Sequence, residues 1–403
     1  MIRSVAVEKE TSSAPVVLVG YRRQALAAAR RHGPVVLVVD RAPPKSARVQ
    51  AQKVVKVDFR DPKVGRELVC AALGGVRPRG IVALIERSVP TAAELAETFD
   101  LPGVRPAQAE LFRDKVRMKE RARAAGIRTA AYLAVTPETS AGELVTELGL
   151  PLVVKPRSSS GSRDLVIAKT LAEVRAAIQG AARAELIAEE LVKGVEMSVE
   201  SLVAGGSLLF TNPSEYLIHG HASIVPAGVS AAHRQGALGL NAEVLQAFGM
   251  ADGITHLELF ITQEGYVLGE VAARPPGGYL MDLIAGAYGF DPYDALLSIV
   301  CGESPDVPEA SKLPGCAAVL VIHPGAGEVV GVSGIEAITA LAGVERVRCS
   351  LRPGDVLGAR RGVGESKGWV MFLGSDRMGL LRAIRQVQGL LDIELRPLPA
   401  TAS

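Results

Sequence analysis

Hydrophobic positions along the chain change character from one end to the other. Near the start they form short, continuous, β-branched runs: Pro15–Gly20 (PVVLVG), Pro34–Asp40 (PVVLVVD) and Arg79–Glu86 (RGIVALIE). Between the first two, Gln24–Gly33 (QALAAARRHG) has helical spacing and stops on a glycine. Continuous apolar strands alternating with helices predict a parallel sheet covered on both faces. The turn after the first strand, Gly20-Tyr21-Arg22-Arg23, lacks the GxGxxG spacing that lets a pyrophosphate approach the backbone, so no dinucleotide site is expected there.

Beyond residue 106 the runs shorten and alternate. One helix is expected over Ala107–Gly126, then a strand (Arg128–Val135), a helix (Ser140–Gly149) and the strand Leu150–Pro156. A loop at Ser158–Ser162 leads to the strand LVIAK and a helix over Leu171–Arg183. The stretch ELIAEELVKGVEMSVESLVAGG reads as strand, connection and strand. Glu258–Thr262 and Tyr266–Val271 read as a hairpin turning at Gln263-Glu264-Gly265. Past about residue 310, CAAVLVIH, VERVRCS and GWVMFLGS are strands and RMGLLRAIRQVQGLL a helix, a small α+β unit.

Charge and composition narrow the function classes. Formal charge is +2 with both signs interspersed, so no basic stripe offers a footprint for nucleic acid or a membrane surface. Aromatics are too few for base stacking. Cys70, Cys301, Cys316 and Cys349 form no CxxC pair, the pattern of reduced thiols. No apolar run reaches the roughly 18 residues of a membrane span, and the first residues do not read as a signal peptide, so a cytoplasmic location is expected.

Three features carry candidate chemistry. Lys115 lies in the basic helix, and Lys155 ends an apolar strand just before the small-residue loop Ser158, Ser159, Ser160, Gly161, Ser162. Strand, ammonium and flexible loop suit a phosphate clamp; either lysine alone also reads as a helix cap or an edge gatekeeper. The linker Glu189, Glu190, Leu191, Val192 can offer unpaired backbone groups to an adenine edge, with Glu196 within reach of a ribose, although alone it is an acidic strand end. Glu258 and Glu270 face each other across the hairpin on an apolar surface, where two carboxylates need a cation; a surface acid pair is the plainer reading. Arg274 follows, before Pro275-Pro276-Gly277-Gly278, placed for a carboxylate or an oxyanion. Glu86, at a strand's carboxyl end, and His221, in EYLIHGHASIVPAG, are candidates for facing substrate. The HxH at His219 and His221 has no third nitrogen or sulfur ligand nearby for zinc, and His32, His233, His256 and His323 read as structural.

In this order the segments resemble the ATP-grasp superfamily, and most closely its carboxylate–amine ligases of the L-amino-acid ligase type. RDKVRMKERARAAGI resembles the family's first lysine helix, LVVKPRSSSGS its second lysine and phosphate loop, AEELVKGVEMSVE its adenine hinge, and HLELFITQEGYVLGEVAARPPGG its metal hairpin. The resemblance implies an ATP-grasp fold: a Rossmann-like parallel-sheet domain (1–112), an ATP-grasp domain (113–306, lid about 119–191) and a small C-terminal α+β domain (307–403). It implies that Lys115, Lys155 and Ser158–Ser162 hold the ATP phosphates, and that Glu189–Val192 and Glu196 hold adenine and ribose. Glu258 and Glu270 would ligate two Mg²⁺, which Mn²⁺ could replace. Arg274, Gly277 and Gly278 would face substrate. Ala272 departs from the asparagine usual there, leaving the second metal one protein ligand short. The implied reaction joins a small carboxylate to an amine through an acyl-phosphate, releasing ADP and phosphate. Alternatives are a purine-pathway or D-alanine-type ligase, or a regulatory protein with a degenerate Mg·ATP site. The alanine-rich N-terminal domain is compatible with a homodimer.

Overall fold

The structure, a computed structural model, describes residues 13–161, 163–180, 185–308, 315–360, 362 and 365–398. Its first unit is β1 (Val16–Val19), α1 (Arg23–His32), β2 (Val35–Val39), α2 (Lys45–Gln50), β3 (Lys53–Lys56), α3 (Pro62–Leu73), β4 (Gly80–Ala83) and α4 (Val89–Thr98). The strands form a sheet in the order β3-β2-β1-β4, and β1, β2 and β4 are buried along nearly their whole length, as their unbroken apolar runs require. Glu86 lies just past the carboxyl end of β4, in a single turn of 3-10 helix over Glu86–Ser88.

The expected helix over Ala107–Gly126 is two helices, α5 (Pro106–Leu111) and α6 (Lys115–Ala124). Asp114 separates them: its side chain accepts hydrogen bonds from the Val116 and Arg117 amides and so starts a new helix. Met118 and Ala122 turn the apolar face of α6 into the central core.

A lid follows, made of β5 (Tyr132–Val135), α7 (Ala141–Leu148), β6 (Leu152–Pro156), β7 (Val166–Ala168), α8 (Leu171–Gly180) and β8 (Leu186–Glu190). Its antiparallel sheet has the order β5-β8-β6-β7, over a small core that includes Leu144, Leu152, Val154 and Val174.

The remaining chain builds a larger sheet from β9 (Val195–Ala204), β10 (Ser207–Ile218), β11 (Ala222–Val225), α9 (Ala231–Phe248), β12 (Gly253–Thr262) and β13 (Gly265–Ala272). It continues through α10 (Leu280–Tyr288), α11 (Pro292–Val300), β14 (Cys316–Ile322), β15 (Gly327–Ser333), α12 (Ile335–Thr339), β16 (Val344–Cys349), β17 (Val356–Leu357), β18 (Gly368–Gly374), α13 (Arg377–Leu390) and β19 (Asp392–Arg396). Eight of these strands pair in the order β13-β12-β9-β10-β11-β14-β18-β16. The C-terminal strands therefore continue the central sheet through β11 and β14, with only β17-β15-β19 forming a separate sheet. The long β10, the strand β11 and the helices α9 to α11 had no counterpart in the sequence reading.

Candidate active site

A cavity of about 550 Å³ lies between the lid and the central sheet. The lid contributes Lys155, at the end of β6, and the loop after it; Ser159, Ser160 and Gly161 face the cavity. Ser158 faces away, into a separate cleft beside the N-terminal sheet, and Ser162 lies outside the described residues. Lys115, at the first turn of α6, donates from Nζ to the Ser159 carbonyl at 2.9 Å and lies 3.2 Å from Glu270 Oε2. One ammonium thus ties the loop to the hairpin.

At the hinge, Leu191, Val192 and Glu196 line the cavity. Glu190 turns one oxygen to the Ala131 amide at 2.8 Å. The Glu189 side chain is buried between two lysines, with Oε2 2.9 Å from Lys155 Nζ. The second lysine is Lys119, which the sequence reading passed over. Its spacing of four from Lys115 puts both on one helix face. Lys119 Nζ and Glu189 Oε1 lie 3.4 Å apart without hydrogen-bond alignment, so both are buried with no hydrogen-bond partner. Burial depresses the Lys119 ammonium, against the pull of Glu189. Burial also works against charge on Lys155 and on Glu189, but Glu189 raises the lysine, and Lys119 together with Lys155 lowers the acid. Two unpartnered polar atoms on the cavity wall, one donor and one acceptor, fit the hydrogen-bonding edge of a nucleotide base.

The opposite wall is the β12–β13 hairpin. Glu258 pairs with Glu270 in register, so both side chains leave the same face. A bulge follows at Gly269, where a Cβ would meet the Glu258 carbonyl at 3.1 Å. His256, two residues before Glu258 and therefore on the same face, bridges Glu200 (Nδ1 to Oε1, 2.9 Å) and Glu258 (Nε2 to Oε1, 3.3 Å). Burial disfavours its charge, yet hydrogen bonds to the two carboxylates push it up to about 9. His256, expected to be structural, is buried here and hydrogen-bonded to both carboxylates. Two carboxylates facing two lysines across the cavity fit a divalent cation carried by phosphate oxygens.

Arg274 lines the cavity and donates from Nε to Oε2 of the buried Glu86 at 2.7 Å and from Nη1 to the Pro275 carbonyl at 3.0 Å. Arg113 Nη1 stands 3.5 Å from the other Glu86 oxygen. Gly277 and Gly278 line the cavity beside them. Tyr279 follows at φ 66°, a left-handed conformation rare for a side-chain-bearing residue, and its hydroxyl bonds Ser366 Oγ at 3.0 Å. His221 also faces the cavity; His219, beside it, pairs with Glu196 at 3.0 Å. Ala272 is buried directly opposite His256.

Known proteins with these features converge on one group. Residues 26–103 match the ATP-grasp N-terminal domain, residues 120–282 the ATP-grasp domain, and residues 319–396 the L-amino acid ligase C-terminal domain 2. The L-arginine-specific L-amino acid ligase of Bacillus subtilis is 26% identical over 292 residues, covering 69% of this chain and 70% of that protein. A formate-dependent phosphoribosylglycinamide formyltransferase of Geobacter metallireducens is 27% identical over 359 residues, covering 84% of this chain and 87% of that one. The L-amino acid ligase structure from Bacillus licheniformis superposes with a TM-score of 0.79 at 18% identity, over 95% of this chain and 99% of that one. N5-carboxyaminoimidazole ribonucleotide synthetase from Thermotoga maritima gives 0.71 at 18% identity, over 96% and 100%. The three matched segments together run from the N-terminal sheet to β19, and with the fold they show that this chain belongs to the ATP-grasp ligases, with the C-terminal domain of the L-amino acid ligases.

Proposed function

We propose that this protein activates an amino-acid carboxylate at the expense of ATP and couples it to the amine of a second small molecule, most simply another amino acid. The observation that carries this reading is the meeting, in one cavity, of Glu258 and Glu270, the cations Lys115 and Lys155, and Arg274, whose guanidinium bonds the buried Glu86. Lys119, Glu189 and the Glu190–Val192 backbone would hold the base, and Glu196 the ribose. Lys115, Lys155 and the Ser159–Gly161 backbone would hold phosphates, and Glu258 with Glu270 one or two Mg²⁺. The bound metal supplies charge neutralisation at the transferring phosphoryl group.

Arg274 orients the substrate carboxylate by its guanidinium, exchanging part of its bond to Glu86 for that ligand. Glu86, released on one side, then faces the substrate's ammonium. The lysines offset charge on the phosphoryl oxygens while the carboxylate is phosphorylated. Attack by the amine forms the amide bond and expels phosphate. Because an acyl-phosphate hydrolyses readily, the Ser159–Gly161 loop must exclude water during these steps, and the Lys115 bond to Ser159 serves that closure.

The test is phosphate release with Mg·ATP across pairs of amino acids, with products identified by mass. Release that requires both an acid and an amine, with an amide product, is expected. Hydrolysis indifferent to every acid and amine would overturn the reading, and tight Mg·ATP binding with no release would favour a regulatory nucleotide-binding protein.

A further inference from the structure

Beneath the hairpin lies a set of buried polar groups that nucleotide binding does not explain. Strand register sets it out in two adjacent rows. Asn212 on β10, Glu200 on β9, His256 on β12 and Ala272 on β13 occupy one; Ser214, Ser198, Glu258 and Glu270 occupy the next. Asn212, Ser214 and Ser198 are fully buried, and Glu200 is 1% exposed.

A carboxylate so deep is costly unless its oxygens are satisfied. Glu200 is satisfied four times: Oε1 accepts from Ser198 Oγ at 2.7 Å and from His256 Nδ1, while Oε2 accepts from Ser214 Oγ at 2.5 Å and Asn212 Nδ2 at 3.1 Å. Asn212 is itself fixed by the Tyr288 hydroxyl at 2.8 Å. His256 stands between two carboxylates, with each ring nitrogen within hydrogen-bond distance of one of them. The imidazole is thereby fixed in plane and direction. Its Nε2 and the Tyr216 hydroxyl, at 3.4 Å, both engage Oε1 of Glu258, which lines the cavity.

We propose that His256, oriented by Glu200, is a positioning residue that sets the orientation in which Glu258 would hold the divalent cation. Outer partners of this kind govern metal affinity by roughly 10- to 100-fold. The proposal rests on the reading of Glu258 as a metal ligand, and the experiment separates the two. Binding of Mn²⁺ to the full-length protein with ADP is followed by the electron paramagnetic resonance of free Mn²⁺. ADP binding without metal and thermal melting are measured on the same samples. The variants are His256→Asn, His256→Gln, Glu200→Gln, Glu258→Gln and the double variant His256→Asn/Glu258→Gln.

His256→Asn and Glu200→Gln are expected to weaken Mn²⁺ binding about tenfold or more while metal-free ADP binding holds. His256→Gln, whose amide nitrogen reaches toward the Nε2 position, should retain more affinity than His256→Asn. In the Glu258→Gln background, His256→Asn should add little, because both act through the Glu258 carboxylate. If Glu258→Gln weakens Mn²⁺ binding but folded His256→Asn and Glu200→Gln bind within twofold of wild type, the positioning role is wrong. If Glu258→Gln itself leaves Mn²⁺ binding unchanged, the metal reading falls, and the proposal with it. Should His256→Asn fail to fold, Glu200→Gln and His256→Gln carry the same decision.

Discussion

The two walls of the cavity solve the problem of buried charge differently. On the hairpin wall, Glu200 receives four hydrogen bonds and Glu258 is held by His256 and Tyr216. On the other wall, where α6 meets the lid strand β8, Lys119 Nζ and Glu189 Oε1 are buried with no hydrogen-bond partner, close to each other but misaligned. The first wall is built on an eight-stranded sheet, the second on the helix α6 and a small four-stranded sheet. A preorganised site places its rigid groups where charge develops during reaction. Groups left wanting are best placed where a ligand arrives and completes them. Under the proposed function, this contrast divides the site into a hairpin wall for chemistry and an opposite wall for nucleotide capture.

Substitutions can break that contrast. The largest effect is expected at Glu270: Glu270→Gln should lower kcat about a thousandfold, the several kcal/mol a metal supplies to the transferring charge, with thermal stability unchanged. Wild-type turnover in that variant would end the hairpin assignment. Arg274→Ala should cost roughly a hundredfold in kcat/KM for the acid, with a much smaller change in KM for ATP, measured by phosphate release. An equal loss in both would move Arg274 from the substrate to the nucleotide.

Two further variants oppose the walls directly. Glu200→Gln should destabilise the fold by about 2–3 kcal/mol in denaturant melts, because it weakens a fully satisfied buried network. Lys119→Met should raise KM for ATP about tenfold with little loss of stability, since Glu189 keeps Lys155 as its partner. Reversal of these two outcomes would refute the division of labour.

The smallest effect concerns His219. Its hydrogen bond to Glu196 raises it above the ordinary histidine value of about 6.5, against the opposing pull of burial. A histidine raised on folding stabilises fully below its unfolded value, and that contribution disappears as pH rises through the folded one. Wild-type melting temperature should therefore fall slightly more than that of His219→Ala between pH 6 and pH 8. The side chain is half exposed, so solvent screening keeps the difference small.

Much of the frame was legible in the chain itself. Unbroken β-branched runs announce a sheet covered on both faces, and β1, β2 and β4 follow them closely. Glu258 and Glu270 were legible as facing residues of one hairpin, but their pairing depends on the bulge at Gly269, which shifts the register by one residue. What escaped notice depends on distant pairing. Glu200, Ser198, Asn212 and Ser214 look like ordinary polar positions until β9, β10 and β12 come into register. Lys119 and His256 are intermediate cases, recoverable from a spacing of four on a helix and two on a strand. The break at Asp114 hid because a capping aspartate inside a charged run resembles any other solvated residue.

The pairing of β11 with β14 has an engineering consequence. A chain ended before Cys316 would leave the backbone of β11 as an open sheet edge, a template for pairing with other chains. The C-terminal region is therefore not a cassette. Exchange between relatives must graft β14 in a register matching Ala222–Val225, or it will trade a ligase for an aggregate.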